Sequence, residues 1–164
     1  MRVPLTQGKF ALVDAEDAER VMQFKWFALN KGGWWYAGRQ RREPRTIRGQ
    51  PGKSYTLYLH RFLLDAPDGT DVDHINGDGL DNRRANLRIC THAENSYNAR
   101  VTRSRAGYKG VRADGTRWRA AIHQHGREIS LGSHATPEEA ARAYDRAATE
   151  IFGVYALLNF PNES

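Results

Sequence analysis

Apolar and polar positions fall into short alternating runs separated by Gly- and Asn-rich breaks, with helical spacing in only a few places. This pattern predicts an α+β chain of short antiparallel strands and few helices. It is clearest beyond Gly107, where Tyr108–Ala113, Arg117–His123 and Arg127–Gly132 read as three strands joined by Asp114-Gly115-Thr116 and Gln124-His125-Gly126. A helix follows: Thr136 caps it, Pro137 takes its first position, Glu139 completes the capping box and Gly153 ends it. Ala140, Tyr144, Ala148 and Ile151 or Phe152 give it an apolar stripe. On the middle strand Trp118, Ala120 and Ile122 alternate with Arg117, Arg119, Ala121 and His123, so one face packs on the helix and the other turns outward. Upstream, Val72–His74 and Leu87–Cys90 read as strands flanking the turn-rich Asn76-Gly77-Asp78-Gly79. Thr91 and Glu94 then open a helix with a second capping box. The first third is less sharply patterned. Phe10–Val13 reads as a strand, Ala15–Phe24 as a helix, Trp26–Leu29 with Trp34–Gly38 as a hairpin, and Tyr55–Leu59 as a further strand.

The segment from Val72 to Asn98 also carries chemistry. Cleavage of a phosphodiester with one metal ion needs a carboxylate for a hard cation, a base to deprotonate water and a group that holds the base still. Asp73 is a short acidic ligand. Asn95 adds an uncharged oxygen, a donor set suited to Mg²⁺, or Mn²⁺, that keeps waters and takes substrate phosphate as further ligands. His74 has the ordinary pKa of a base for neutral pH. Asn86 follows His74 by twelve residues and Asn95 follows Asp73 by twenty-two. A plain polar turn explains the Asn and Gly residues of the loop but not the later Asn residues in this order. Asp78 and Asp81 read as turn chemistry. Cys90, the only cysteine, reads as a buried strand residue, and it rules out a cysteine-rich zinc site.

Through DHINGD, LDNRRANLR and ENSYN this segment resembles the HNH endonucleases with a ββα-metal core, especially the phage and intron-borne homing type. That resemblance implies that Asp73 and Asn95 hold the metal, His74 activates water, and Asn86 fixes the loop and the His74 orientation. Asn95 stands where many relatives have a His, as is common in the homing branch. LTQGKFALVD and YLHR match segments frequent in homing-type relatives and extend the expected nuclease unit over residues 1–98, with a core at 55–98. Trp26, Trp34 and Trp35 read as packing residues.

Composition points to a polyanionic partner: the net charge is +6 and the sequence pI about 9.7. The charge is distributed unevenly. Arg39, Arg41, Arg42, Arg45 and Arg48 crowd a Gly- and Pro-containing stretch, and residues 99–106 form a basic linker with Arg100, Arg103 and Arg105. His60, Arg61, Arg100 and Arg103 are candidate phosphate contacts. From Gly107 to Arg127 the basic residues face Asp114 alone, whereas acidic residues prevail beyond.

Residues 107–161, through GYKGVR, RWRAAI, LGSHATPEEAARAYDRAA and LNFP, resemble the plant ethylene-response-factor (APETALA type) DNA-binding domain. There a three-stranded sheet enters the major groove, which by position implies base or phosphate contacts from Lys109, Arg112, Trp118 and Arg127. Strand parity adds Arg117 and Arg119. It also puts Lys109 with Val111, and Arg127 with Ile129 and Leu131, away from that face unless a bulge intervenes. Ser130 replaces a Trp found in many plant members, so their target sequence does not transfer.

These readings predict a metal-dependent endonuclease acting on double-stranded DNA as a monomer. No small-molecule cofactor and no membrane are expected. Without signal peptide, apolar span or cysteine pair, a soluble protein of the cytoplasm is expected, that of a bacterial host if the origin is a phage. A DNA-binding regulator without cleavage and a ribonuclease are the alternative functions.

Overall fold

The computed structural model describes residues 1–42, 52–97, 106–124 and 126–161. Arg45, Arg48, Arg100, Arg103 and Arg105 lie outside the described residues. The chain is a mixture of helix and sheet and divides into two compact units, Met1–His92 and Ala93–Ser164.

The first unit opens with a hairpin of β1 (Arg2–Pro4) and β2 (Phe10–Leu12). The single helix predicted over Ala15–Phe24 is divided into a 3₁₀ turn at Ala15–Asp17 and α1 (Ala18–Met22). It stops there because the Val21 carbonyl accepts from the Trp26 indole at 2.9 Å, which places Trp26 in the core as expected. An antiparallel meander follows: β3 (Phe27–Lys31), β4 (Trp34–Arg42) and β5 (Ser54–Tyr58). β4 runs four residues past the predicted Gly38, since Gly38–Arg42 finds a complete ladder partner in Ser54–Tyr58. β5 ends one residue early, and α2 (Leu59–Leu63) begins where alternation predicts strand. β6 (Asp71–His74) and β7 (Leu87–Cys90) pair antiparallel with Asp73 opposite Arg88 and His74 opposite Leu87. α3 (His92–Tyr97) follows in the chain and from Ala93 on belongs to the second unit.

Val3, Ala11, Val13, Val21, Trp26, Leu59, Leu63, Val72 and Leu87 form the core of this unit. Arg84, from the 3₁₀ turn before β7, binds the buried Asp17 through Nε at 2.8 Å and Nη2 at 2.7 Å, and its amide donates to Asp14. Leu12 exchanges backbone hydrogen bonds with Leu80 and Asn82, both at 2.8 Å. The long β6–β7 connection is thus tied by backbone to the N-terminal hairpin and by charge to the 3₁₀ turn that follows it. His60, on α2, is buried beside this core at 8% exposure. Burial first, then His74 and Arg61, push its pKa down from 6.5 to about 3.

In the second unit β8 (Val111–Asp114), β9 (Arg117–Gln124) and β10 (Arg127–His134) form an antiparallel sheet in the order β10-β9-β8. α4 (Pro137–Phe152) covers one face through Ala140, Ala141, Ala148 and Tyr144. The predicted capping box is present: Thr136 Oγ1 accepts from the Glu139 amide at 3.2 Å, and Glu139 reaches back to the Ala135 amide at 3.1 Å. Past the helix, the buried Asp145 accepts from the amides of Asn159 and Phe160, both at 2.8 Å. Asn159 in turn pairs with the backbone of Lys109. This network fastens the last residues of the unit to the start of the sheet. β8 begins at Val111, not Tyr108, because Gly110 turns the chain at φ +73° beneath the Tyr144 ring. A Cβ there would stand 1.9 Å from Tyr144 Cδ2.

Gly110→Ala therefore combines positive-φ strain with overpacking and is expected to lower the unfolding free energy of the second unit by about 2–4 kcal/mol in denaturant titration. His60 gives the first unit an acid-side signature. Unfolded, it takes a proton below about pH 6.5, whereas folded it stays neutral to about 3. Its contribution is complete above the unfolded value and falls, as pH drops toward 3, by about 1.4 kcal/mol per pH unit. His60→Phe is expected to flatten the acid limb of stability against pH by that slope.

Candidate active site

The β6–β7 connection is closed by side chains acting as backbone. Asn86 Oδ1 accepts from the Asn76 amide at 3.0 Å, and Asn86 Nδ2 donates to Asn76 Oδ1 at 3.0 Å and to the Asp81 carbonyl at 2.7 Å. The Ile75 amide donates to the Asn86 carbonyl at 2.9 Å, extending the ladder by one step. Within the loop, Asn76 and Asp78 accept from the amides two residues on, at 2.8 and 3.0 Å, the turn chemistry their residue types predict. Asp81 is buried and accepts from Asn76 Nδ2 and both ends of the Arg83 fork. Arg83 holds its carboxyl below the usual range. Asp78 and Asp81 thus hold the loop together.

His74 closes β6 at 6% exposure. Its ring lies perpendicular to that of His60, centroids 4.9 Å apart, with Tyr36 6.1 Å away. Burial lowers its pKa, while a hydrogen bond with Asn82 and the charges of Asp73, Asp78 and Asp81 pull it partly back up. The imidazole is accordingly neutral near pH 7, with a nitrogen lone pair for a proton. Asn82 is fully buried behind it. Gly79 packs so closely on β4 that a Cβ would lie 2.5 Å from the Trp35 carbonyl and 2.6 Å from the Tyr36 ring. That contact seats the loop against the strand that supplies Tyr36.

Asp73 is equally buried, at 5%. Its Oδ2 accepts from Arg88 Nε at 2.8 Å and Nη2 at 2.5 Å. Sequence reasoning missed Arg88, although the register makes it the direct cross-strand neighbour of Asp73. Asn82 and Tyr36 carried no sequence signal of their own. Asn95 lies on α3, in the part of that helix belonging to the second unit. Among the described residues no group of three or more His, Cys, Asp and Glu side chains is gathered for a metal ion. A single carboxylate with a carboxamide is a sparser set of the kind Mg²⁺ accepts, since that ion retains waters and takes phosphate oxygens.

The two phosphate candidates of α2 have other surroundings. His60 is enclosed by rings, and the Arg61 guanidinium is engaged by the carbonyls of Thr70, Ala66 and Pro67, the last at 2.8 Å. Arg100 and Arg103 lie outside the described residues.

On the sheet of the second unit, Arg112 and Arg119 are cross-strand partners on the face away from α4. Arg112 forms a two-pronged pair with Glu128 at 2.7 and 2.9 Å, Arg119 meets Asp114 at 2.9 Å, and Arg117 donates to the Ser133 carbonyl at 3.0 Å. Trp118 is half-buried on the helix side in the apolar cluster. Arg127 shares that side with Ile129, which pairs with Ile122. The bulge lies further on, between Ser130 and Ser133, and leaves the side of Arg127 unchanged. Lys109 Nζ donates to the Tyr97 carbonyl at 2.6 Å, and burial lowers its pKa to about 8. Arg112, Arg117 and Arg119 are therefore the predicted DNA contacts that share one exposed face.

Comparison with known proteins agrees with this geometry. Residues 65–97, which span β6, the closed loop, β7 and α3, match the family described as HNH endonuclease. An uncharacterized HNH endonuclease, L560, of Acanthamoeba polyphaga mimivirus is 28% identical over 159 residues, covering 93% of this chain and 76% of the viral protein. Protein 3.8 of Escherichia phage T7 is 32% identical over 93 residues, 55% of this chain and 76% of the phage protein. Dehydration-responsive element-binding protein 2E of Arabidopsis thaliana is 49% identical over 45 residues, 27% of this chain and only 18% of the plant protein. That likeness is a partial similarity to plant DNA-binding proteins. No helix among the described residues is long and apolar enough to cross a membrane. The matched segment coincides with the loop that carries His74 and Asn86, so residues 65–97 are an HNH endonuclease domain.

Proposed function

We propose that the chain hydrolyses phosphodiester bonds of double-stranded DNA with His74 as general base. The observation that carries this is the neutral, buried His74 beside Asp73, at the mouth of a loop that Asn86 closes with three side-chain hydrogen bonds. In this reading His74 takes a proton from water, the water oxygen attacks phosphorus in line, and the bond to the 3′ oxygen breaks. Asn82 packs behind the base, and Asn86 keeps its loop from opening. Asp73 and Asn95 would hold Mg²⁺ or Mn²⁺, which when bound supplies positive charge to the phosphoryl oxygens and the leaving group. Arg88 fixes the Asp73 carboxylate in one orientation.

Residues 107–161, within the second unit, supply the DNA grip, joined through the linker 99–106 to the nuclease domain of residues 1–98. Arg112, Arg117 and Arg119 exchange their exposed carboxylate and hydroxyl partners for phosphates or base edges. That exchange costs little, because exposed ion pairs are weak. The resemblance to homing enzymes and the viral and phage relatives support a role in mobile or viral genomes. A monomer in the cytoplasm of a host cell is the setting in which this activity acts.

Purified protein is expected to nick or linearise supercoiled plasmid with Mg²⁺ or Mn²⁺. His74→Ala should lose at least about 100-fold in rate while still shifting duplex DNA in a gel. Cleavage by His74→Ala at the normal rate removes the base assignment, and duplex binding without any cleavage by the unaltered protein favours a regulator. Faster cutting of structured RNA than of duplex DNA favours a ribonuclease. For the grip, Arg112→Ala and Arg119→Ala are each expected to weaken duplex binding about tenfold and to reduce the salt slope by about one.

A further inference from the structure

We propose that His60 is a positioning residue for His74: its ring is the wall that fixes the plane of the catalytic imidazole. The proposal rests on the reading of His74 as base and adds a residue with which that reading dispenses.

Asn86 bonds to loop backbone and to Asn76, none of which restrains the imidazole itself. A base must present its lone pair within narrow limits. Aromatic rings packed on the imidazole supply that restraint. His60 stands perpendicular to His74 at 4.9 Å and 89°, while Tyr58 stacks on His60 at 5.3 Å and 16°. Tyr36 lies across both imidazoles, 6.2 Å from His60 and 6.1 Å from His74, and meets Tyr58 edge-on at 6.1 Å. These rings come from β4, the junction of β5 with α2, and the end of β6, so the wall is built by the fold and not by neighbours in sequence.

His60 Nδ1 is buried and makes no hydrogen bond. The ring is therefore held on that side by stacking, and its contribution to His74 is one of shape. Being buried and uncharged, it also places no positive charge beside a base that becomes cationic during the reaction. Aromatic pairs in edge-to-face geometry prefer that angle, so the wall resists tilting of His74 as well as filling space.

The test compares His60→Phe, which keeps an aromatic ring, with His60→Asn, which keeps a polar nitrogen and loses the ring. The readouts are kcat and KM on supercoiled plasmid with Mg²⁺, and the side-chain ¹⁵N–¹H correlations of His74. His60→Phe is expected within about threefold of the unaltered kcat, whereas His60→Asn should lose about 10- to 100-fold in kcat with KM unchanged. His74 should give one sharp set of ring signals in the unaltered protein and His60→Phe, and broadened or doubled signals in His60→Asn. If His60→Asn unfolds, Tyr58→Leu, which removes the support behind His60, should give the same kcat loss and signal broadening. Unchanged kcat in His60→Asn or Tyr58→Leu, or a loss in His60→Phe as deep as in His60→Asn, overturns the proposal. If the unaltered protein cuts no DNA, the nuclease reading fails, and the His74 signals still decide whether the ring is held by His60.

Discussion

The site depends on one carboxamide. Asn86 sits where the chain leaves a twelve-residue connection and re-enters the hairpin, and it satisfies polar groups at both ends of the loop: Asn76 on the outgoing side and the Asp81 carbonyl on the returning side. Without it, these groups would need water or a different loop path. The ladder step between Ile75 and Asn86 would also lose its lateral support. Everything that gives His74 its character follows from the loop being shut: the burial that keeps the imidazole neutral, the approach of Asn82 from behind and the seating of Gly79 on Trp35 and Tyr36. The Asp17–Arg84 pair then joins this closed loop to the 3₁₀ turn that follows the N-terminal hairpin.

Many arginines among the described residues are committed within the fold. Arg84 is committed to Asp17, Arg83 to Asp81, Arg88 to Asp73, Arg61 to loop carbonyls and Arg20 to Asp65 and the Phe62 carbonyl. Arg39 lies flat over Phe24 at 3.6 Å. Most of these hold turns or bury carboxylates, work for which a planar fork of donors suits better than an ammonium. On the outward face of the β8–β9–β10 sheet Arg112, Arg117 and Arg119 share exposure, with Glu128 and Asp114 ordering Arg112 and Arg119.

What could be read from sequence followed local chemistry. The capping box at Thr136 and Glu139, the Gly153 stop, the alternation on Arg117–Gln124 and the Asn-Gly turns each encode structure within a few residues, and each is present. Legibility failed where structure is decided at long range or over too few residues. α2 is only five residues, less than two turns, so Leu59–Leu63 has no period to show. β4 continues through Arg39–Arg42 because a partner strand waits beyond the masking charge. Of the candidate site, Asp73, His74 and Asn86 were singled out by order and spacing. Arg88, Asn82, Tyr36 and the role of His60 did not, since each acts through a contact that only the folded register creates. Lys109 and Trp118 are read differently by sequence and by structure. Their positions match a DNA-binding pattern, yet the ammonium is spent on the Tyr97 carbonyl and the indole on the helix side of the sheet.

The central claim is that a buried neutral imidazole activates water against a phosphodiester. The most direct measurement is the fate of solvent oxygen: duplex plasmid cut in ¹⁸O-enriched water with Mg²⁺, the product ends then analysed by mass spectrometry. The account predicts one ¹⁸O in a 5′-phosphate and an unlabelled 3′-hydroxyl at each cut. Ends bearing a 3′-phosphate, or 5′-phosphates that carry no solvent oxygen, would contradict it.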